Sequence, residues 1–160
     1  GRMSGIAQLW SRVKDESAVL QRRLRLLGLS EGEIEAVLEE TLLRVLASAG
    51  ETQAELLPVV MYGMAVRVTA ARRAAARELG ASEAREGHDA QAAWAVTARE
   101  MAALRRLPFR QRVAVVGVDV AGHAVTEVAD VLGLAPEEVD GLLRDGRAKL
   151  AEIMQCDDMA

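Results

Sequence analysis

The chain has 160 residues, with 20 basic and 24 acidic side chains and a formal net charge of −4. A single cysteine, Cys156, excludes an internal disulfide framework and any Cys-based zinc cluster. With only two histidines beside it, the chain offers few metal ligands or catalytic bases, which weighs against an enzyme.

Ala, Leu and Val number 29, 20 and 18, against two Trp, one Tyr and one Phe. A core so poor in large rings is built from many small aliphatic contacts, which suits close-packed helices. No uninterrupted apolar run approaches the roughly 18 residues of a membrane helix, and no signal-peptide pattern appears. A cytoplasmic protein without a membrane partner is the expectation. The charge is uneven. Residues 1–80 carry 11 basic and 10 acidic groups, whereas Arg99 to Arg112 carries five Arg against Glu100. From Asp119 onward three basic groups face ten acidic ones, a net of −7.

Gly1 and Arg2 precede Met3 and are set aside as an expression remnant. Ile6, Leu9, Trp10 and Val13 have helical spacing, which Leu20, Leu24 and Leu27 resume before Gly28. Ser30 then caps a second helix, with Glu33 at the capping-box position. Its apolar face runs through Ile34, Val37, Leu38, Leu42, Val45 and Leu46, and Gly50 closes it. Leu56 to Leu79 predicts a long helix with Pro58 in its first turn and Gly80 as its stop. Residues 80–91 are small and polar and predict a linker.

Ala92 to Leu107 is again helical and halts before Pro108. Gln111 to Val120 is apolar and β-branched, readable as a strand or as a short buried helix, the flanking helices favouring the second. Val125 to Leu132 is a short amphipathic helix, Gly133 to Ala135 a turn, and Pro136-Glu137-Glu138 opens the next helix. That order is a helix-turn-helix pattern, also compatible with a plain helical hairpin.

From Ala103 to Leu150 the chain resembles the C-terminal promoter-reading domain of sigma factors of the extracytoplasmic-function (ECF) group. The matching positions are Leu107, Pro108, Arg112, Gly122, Glu127, Val128, Ala129, Leu132, Gly133, Val139, Leu143, Arg147 and Leu150. Glu33 to Leu46 is similar to the sigma helix that docks on polymerase, and Val60 to Arg73 to the following helix, which faces the −10 promoter element. The resemblance implies an all-α fold of two small helical domains joined by a linker. These are a region-2-like bundle at residues 3–79 and a region-4-like helix-turn-helix at 92–155, flanking the 80–91 linker. It implies core RNA polymerase and promoter DNA as partners, with an anti-sigma factor or other regulatory protein, and no cofactor.

By the same resemblance, Glu35, Leu38, Glu39 and Leu42 fall on the polymerase-docking helix. Tyr62, Arg67, Arg72, Arg73 and Arg77 fall on the −10 helix, where Tyr62 is the aromatic available to stack on an unpaired base. Glu138, Asp140, Gly141, Leu142, Arg144, Arg147 and Lys149 fall on the −35 recognition helix. Several positions depart from the family pattern. The docking helix has Ala36 and Glu39 where the family favours Asp and Gln, and Leu42 and Leu46 in place of aromatics. The next helix has Val60 for a frequent Trp, with Arg67 and Ala71 where Asn and Asp are common. The recognition helix has Glu138-Val139-Asp140-Gly141-Leu142 in place of a Thr-Val-Lys-Ser-Arg pattern.

Duplex affinity comes largely from Lys and Arg on phosphates, and Arg, Lys, Asn and Gln carry most base readout. Glu138 and Asp140 supply neither, and Leu142 is expected on the surface, where it suits a protein partner better. Arg105, Arg106, Arg110 and Arg112 are either structural at a helix end or contacts to DNA or polymerase. His88-Asp89 has no third metal ligand nearby, and His123 is expected at the surface. Three readings follow: a working ECF-type sigma factor with altered contacts; a sigma-like protein that does not read promoters and binds an anti-sigma factor, polymerase or another regulator through its acidic surface; or some other helical adaptor or small enzyme.

Overall fold

The structure, a computed structural model, describes residues 2–48, 54–79 and 97–159, with side chains over 7–48, 54–79 and 97–156. The two stretches of helical spacing near the N-terminus form one helix, α1 (Arg2–Leu26). It turns Val13, Leu20 and Leu24 inward. Gly28 ends it at φ +91°, a conformation that side chains with a Cβ rarely adopt. Helix α2 (Glu31–Ala47) begins with the capping box expected from Ser30 and Glu33. The Glu33 amide donates to Ser30 Oγ at 3.2 Å, and the Ser30 amide donates to Glu33 Oε1 at 3.3 Å. Ile34, Val37, Thr41 and Val45 form its buried stripe; Gly50 lies outside the described residues.

A single 3₁₀ turn, Ala54–Leu56, leads into α3 (Leu57–Glu78), with Pro58 in the first turn as its composition requires. Ala54–Glu78 is long and apolar enough to cross a membrane, but half of its most apolar window is buried inside the protein. It is the central core helix, so the expectation drawn from uninterrupted runs understated its apolarity. Helix α4 (Ala98–Arg105) is capped by Thr97, whose hydroxyl accepts from the Glu100 amide at 3.1 Å. The 80–91 linker and residues 92–96 lie outside the described residues.

The β-branched stretch that sequence left between strand and helix is helical. It forms α5 (Phe109–Val115) and one π turn, Val116–Val120, with Val113 to Gly117 buried. Here burial on all sides, rather than an alternating face, explains the continuous apolar run. Helix α6 (Val125–Leu132) ends on Gly133 at φ +69°, where the Leu134 amide reaches back to the Ala129 carbonyl at 2.9 Å. Helix α7 (Pro136–Met159) completes the chain. The fold is all-α, and the helix-turn-helix lies at the residues read for it.

The halves on either side of residue 80 share one core. Helix α3 packs on α1 and α2 and, through its opposite side, on α6. Gly63 makes this approach possible, because a Cβ there would collide with the Val131 side chain of α6. Gly146 does the same where α7 crosses α5, with Val115 Cγ2 at 2.9 Å from the position a Cβ would take. Tyr62 is 2% exposed, and its hydroxyl donates to the Val113 carbonyl of α5 at 2.7 Å.

Arg112, 3% exposed, joins the halves from the other side. Helix C-termini leave carbonyls unpaired and carry partial negative charge. The Arg112 guanidinium donates to the Leu27 carbonyl just past α1, and its Nη2 donates to the Arg105 and Leu107 carbonyls at 3.2 and 2.9 Å at the end of α4. Of the two roles open to it, Arg112 therefore takes the structural one. The Leu107-Pro108-x-x-x-Arg112 spacing has a local reason: Pro108 stops α4, and one turn of α5 swings Arg112 back over the exposed carbonyls.

Replacing Arg112 by Met strips several buried carbonyls of their donors and is expected to cost about 3 kcal/mol or more in urea unfolding. Thr41 is fully buried, and its hydroxyl has no hydrogen-bond partner. Thr41→Val keeps the shape and removes the orphan group, so it is expected to raise stability by about 1 kcal/mol in the same measurement.

Candidate protein and nucleic-acid interfaces

Helix α2 presents a mixed outer face. Glu35 and Glu39 are exposed, and Leu38 and Leu42 are half-buried against the core. Beside them Leu43 is 63% exposed and Leu46 36%. Leu43 falls outside the apolar face read from sequence, yet it is the most exposed large hydrophobic side chain of α2. A helix that keeps large aliphatic groups in water, flanked by carboxylates, is suited to a protein partner.

Helix α3 places Arg67, Arg72 and Arg77 on the surface. Arg73 is committed elsewhere. Its Nε is 3.0 Å from Glu33 Oε2, and its guanidinium lies 5.2 Å from the centre of the Phe109 ring. It thus ties the N-terminal turn of α2 to α5. Tyr62 corrects the sequence reading most directly. It was placed as the aromatic for an unpaired base, but the ring is sealed between the halves against Gly117, with its Cε1 3.0 Å from where a Cβ at 117 would stand. Burial pushes its phenol well above the usual range, with Arg23 opposing. The residue acts as a neutral hydrogen-bond donor within the core and offers no stacking face in this conformation.

On α7, Glu138 and Asp140 are exposed near the N-terminus, as expected. Glu138 has a structural task, since its Oε1 accepts from the Ala135 amide at 3.2 Å and caps its own helix. Gly141 is half-buried; Arg144 and Lys149 are exposed. Arg147 is held by Asp119 through two bonds of 2.9 and 2.6 Å, which raise its pKa further. Leu142 corrects a second expectation. It is half-buried and lines a groove of about 170 Å³ with Leu134 and Val139 on one side and Val66, Arg67 and Ala70 of α3 on the other.

Residues assigned to two different DNA surfaces, Arg67 and Leu142, therefore face each other across one groove. His123 corrects a third expectation. It is half-buried, its ring centre 6.3 Å from that of Tyr62. His88 and Asp89 lie outside the described residues, and no group of three or more His, Cys, Asp or Glu is positioned to hold a metal among the described residues.

No family model matches the chain. Over 52 residues, 32% of its length, it is 42% identical to the ECF RNA polymerase sigma factor SigM of Mycobacterium tuberculosis, in strains Erdman and H37Rv. The match spans 26% of those proteins. Its fold is similar to that of the sigma factor RpoE in complex with the anti-sigma factor NepR from Bartonella quintana. The TM-score is 0.77, with 18% identity and coverage of 94% of this chain and 98% of that one. It is also similar to CnrH in complex with the cytosolic domain of CnrY, at a TM-score of 0.64, 21% identity and coverage of 98% and 91%. The sigma-factor resemblance read from the sequence thus extends to the fold.

If Gly63 governs the seating of α6 on α3, Gly63→Ala will destabilise the chain by about 1–3 kcal/mol through overpacking. Far-UV circular dichroism at room temperature should remain helical, while the thermal midpoint falls. An unchanged midpoint would show that α3 and α6 do not pack this closely in solution.

Proposed function

We propose that this chain, whose fold is similar to that of the sigma factor RpoE, is a sigma-like transcription regulator that docks on core RNA polymerase through α2. What supports this reading best is the arrangement of a helix-turn-helix, α6 and α7, upon an α2–α3 pair in a sigma fold. The docking surface comprises Glu35, Leu38, Glu39 and Leu42, extended by the exposed Leu43 and Leu46. Promoter contact then falls to Arg67, Arg72 and Arg77 on α3 and to Arg144 and Lys149 on α7, after the two halves part. An anti-sigma-type protein that favours the closed arrangement would hold the regulator inactive by mass action.

A second reading is favoured by one observation. Glu137, Glu138 and Asp140 stand exposed on the first turns of the helix that should approach the −35 element. Such carboxylates repel phosphates. On this reading the chain keeps the sigma fold and regulates by protein binding alone.

Gel filtration of the full chain with core RNA polymerase tests the shared part: co-elution is expected, and Leu43→Asp with Leu46→Asp should weaken it at least tenfold without unfolding the chain. Retained binding would move the docking surface off α2. The readings part on DNA. Promoter-dependent initiation by the reconstituted holoenzyme supports the first, and polymerase binding without initiation supports the second. Asp140→Lys should raise duplex affinity by up to tenfold at low salt and steepen the salt dependence, as an added phosphate contact does; an unaltered affinity means that α7 does not face DNA.

A further inference from the structure

His123 sits where three parts of the chain meet. The loop that carries it belongs to the C-terminal half, between the π turn and α6, with Gly122 at φ +78° directing the chain inward. Its backbone amide is anchored on the Gly117 carbonyl at 3.0 Å. The side chain borders a cavity of about 280 Å³ with Glu16 and Arg23 of α1 and Tyr62 of α3. Every wall opposite His123 belongs to the N-terminal half. A charge placed on this imidazole regains full hydration only when the halves separate.

The groups facing it can be named from each element. Helix α1 contributes Arg23, whose Nε is buried without a hydrogen-bond partner, and Glu16. Helix α3 contributes Tyr62, a neutral phenol already engaged with Val113. Helix α6 contributes Glu127, whose Oε1 is occupied by the Ala124 amide at 3.0 Å. Glu16 is itself harder to ionise than usual, first through burial and then through Asp15, against the pull of Arg23. The N-terminal half therefore sets the Arg23 guanidinium on the cavity that His123 borders, while Glu127, on the same half as His123, is engaged with the Ala124 amide.

We propose that His123 is an acid-sensitive latch: its protonation opens the contact between the two halves and exposes the facing surfaces of α3 and α6. The direction of titration agrees. Burial lowers the pKa of His123, and Arg23 lowers it further, while Glu127 raises it. A histidine with a depressed pKa in the closed state adds stability that is complete above its ordinary value of about 6.5 and is lost as pH falls below it. Between that value and the lower closed-state value, the closed-to-open ratio drops by up to tenfold per pH unit. The open form becomes the one that polymerase or DNA can engage at both surfaces.

The test uses the full chain with a donor and acceptor dye on Cys156 and on a cysteine introduced by Ala71→Cys, both at exposed positions of opposite halves. Energy transfer is followed from pH 8 to pH 5 alongside far-UV circular dichroism. Transfer should fall below about pH 6.5 while helical content stays constant, and His123→Gln should abolish the fall. Arg23→Gln, which removes the repelling cation, should move the midpoint to lower pH and keeps the idea testable if the His123 variant does not fold. Constant transfer across the range, the same midpoint in His123→Gln, or loss of helix in step with transfer would each overturn the proposal.

Discussion

The arrangement depends on one buried guanidinium. Two helices, α1 and α4, end beside each other from opposite halves of the chain. Each end leaves carbonyl oxygens without partners, and each is a partial negative charge. Bringing them together in a dry interior is unfavourable unless a donor lies between them. Arg112 supplies several N–H groups in one rigid plane. It spans the carbonyls of Leu27, Arg105 and Leu107 at once. Lysine, with a compact head on a flexible stem, could not reach these directions together.

Once that junction is set, the remaining contacts follow from shape. Tyr62 spans the same boundary with a ring and a single hydrogen bond to Val113. Gly117 leaves room for that ring. The small residues abundant in the composition allow α6 to lie close on α3, as a helix richer in large side chains could not. The same packing seats Arg67 of α3 and Leu142 of α7 on one groove, and it leaves Leu43 and Leu46 of α2 in water.

The elements were legible because their signals are local. Ser30 and Glu33 announced the start of α2 through a contact three residues long. Gly133 and Pro136 bounded the turn of the helix-turn-helix through backbone preferences alone. The buried helix at 109–120 was only half legible, since a continuous apolar run has no period to distinguish strand from helix. Site residues were legible by position on a helix, and less so by environment. Tyr62, Leu142 and His123 read as surface groups from their own segments; each is covered by a helix from the other half of the chain.

Sequence by itself determined the all-α class, the helix starts and stops, the acidic character of the first turns of α7 and the ECF resemblance. The first three follow from propensity, capping chemistry and charge, which act over a few neighbouring residues, and the resemblance from motif residues matched in order along the chain. Tertiary structure decided which arginines are free and which are structural, and whether the lone tyrosine meets a base or a carbonyl. Arg110 and Arg112 lie two residues apart on one helix, yet the first is exposed and the second is buried and bridges α1 to α4. The difference lies in one partner, the Leu27 carbonyl, 85 residues away from Arg112, a separation at which no local pattern records who the neighbour is.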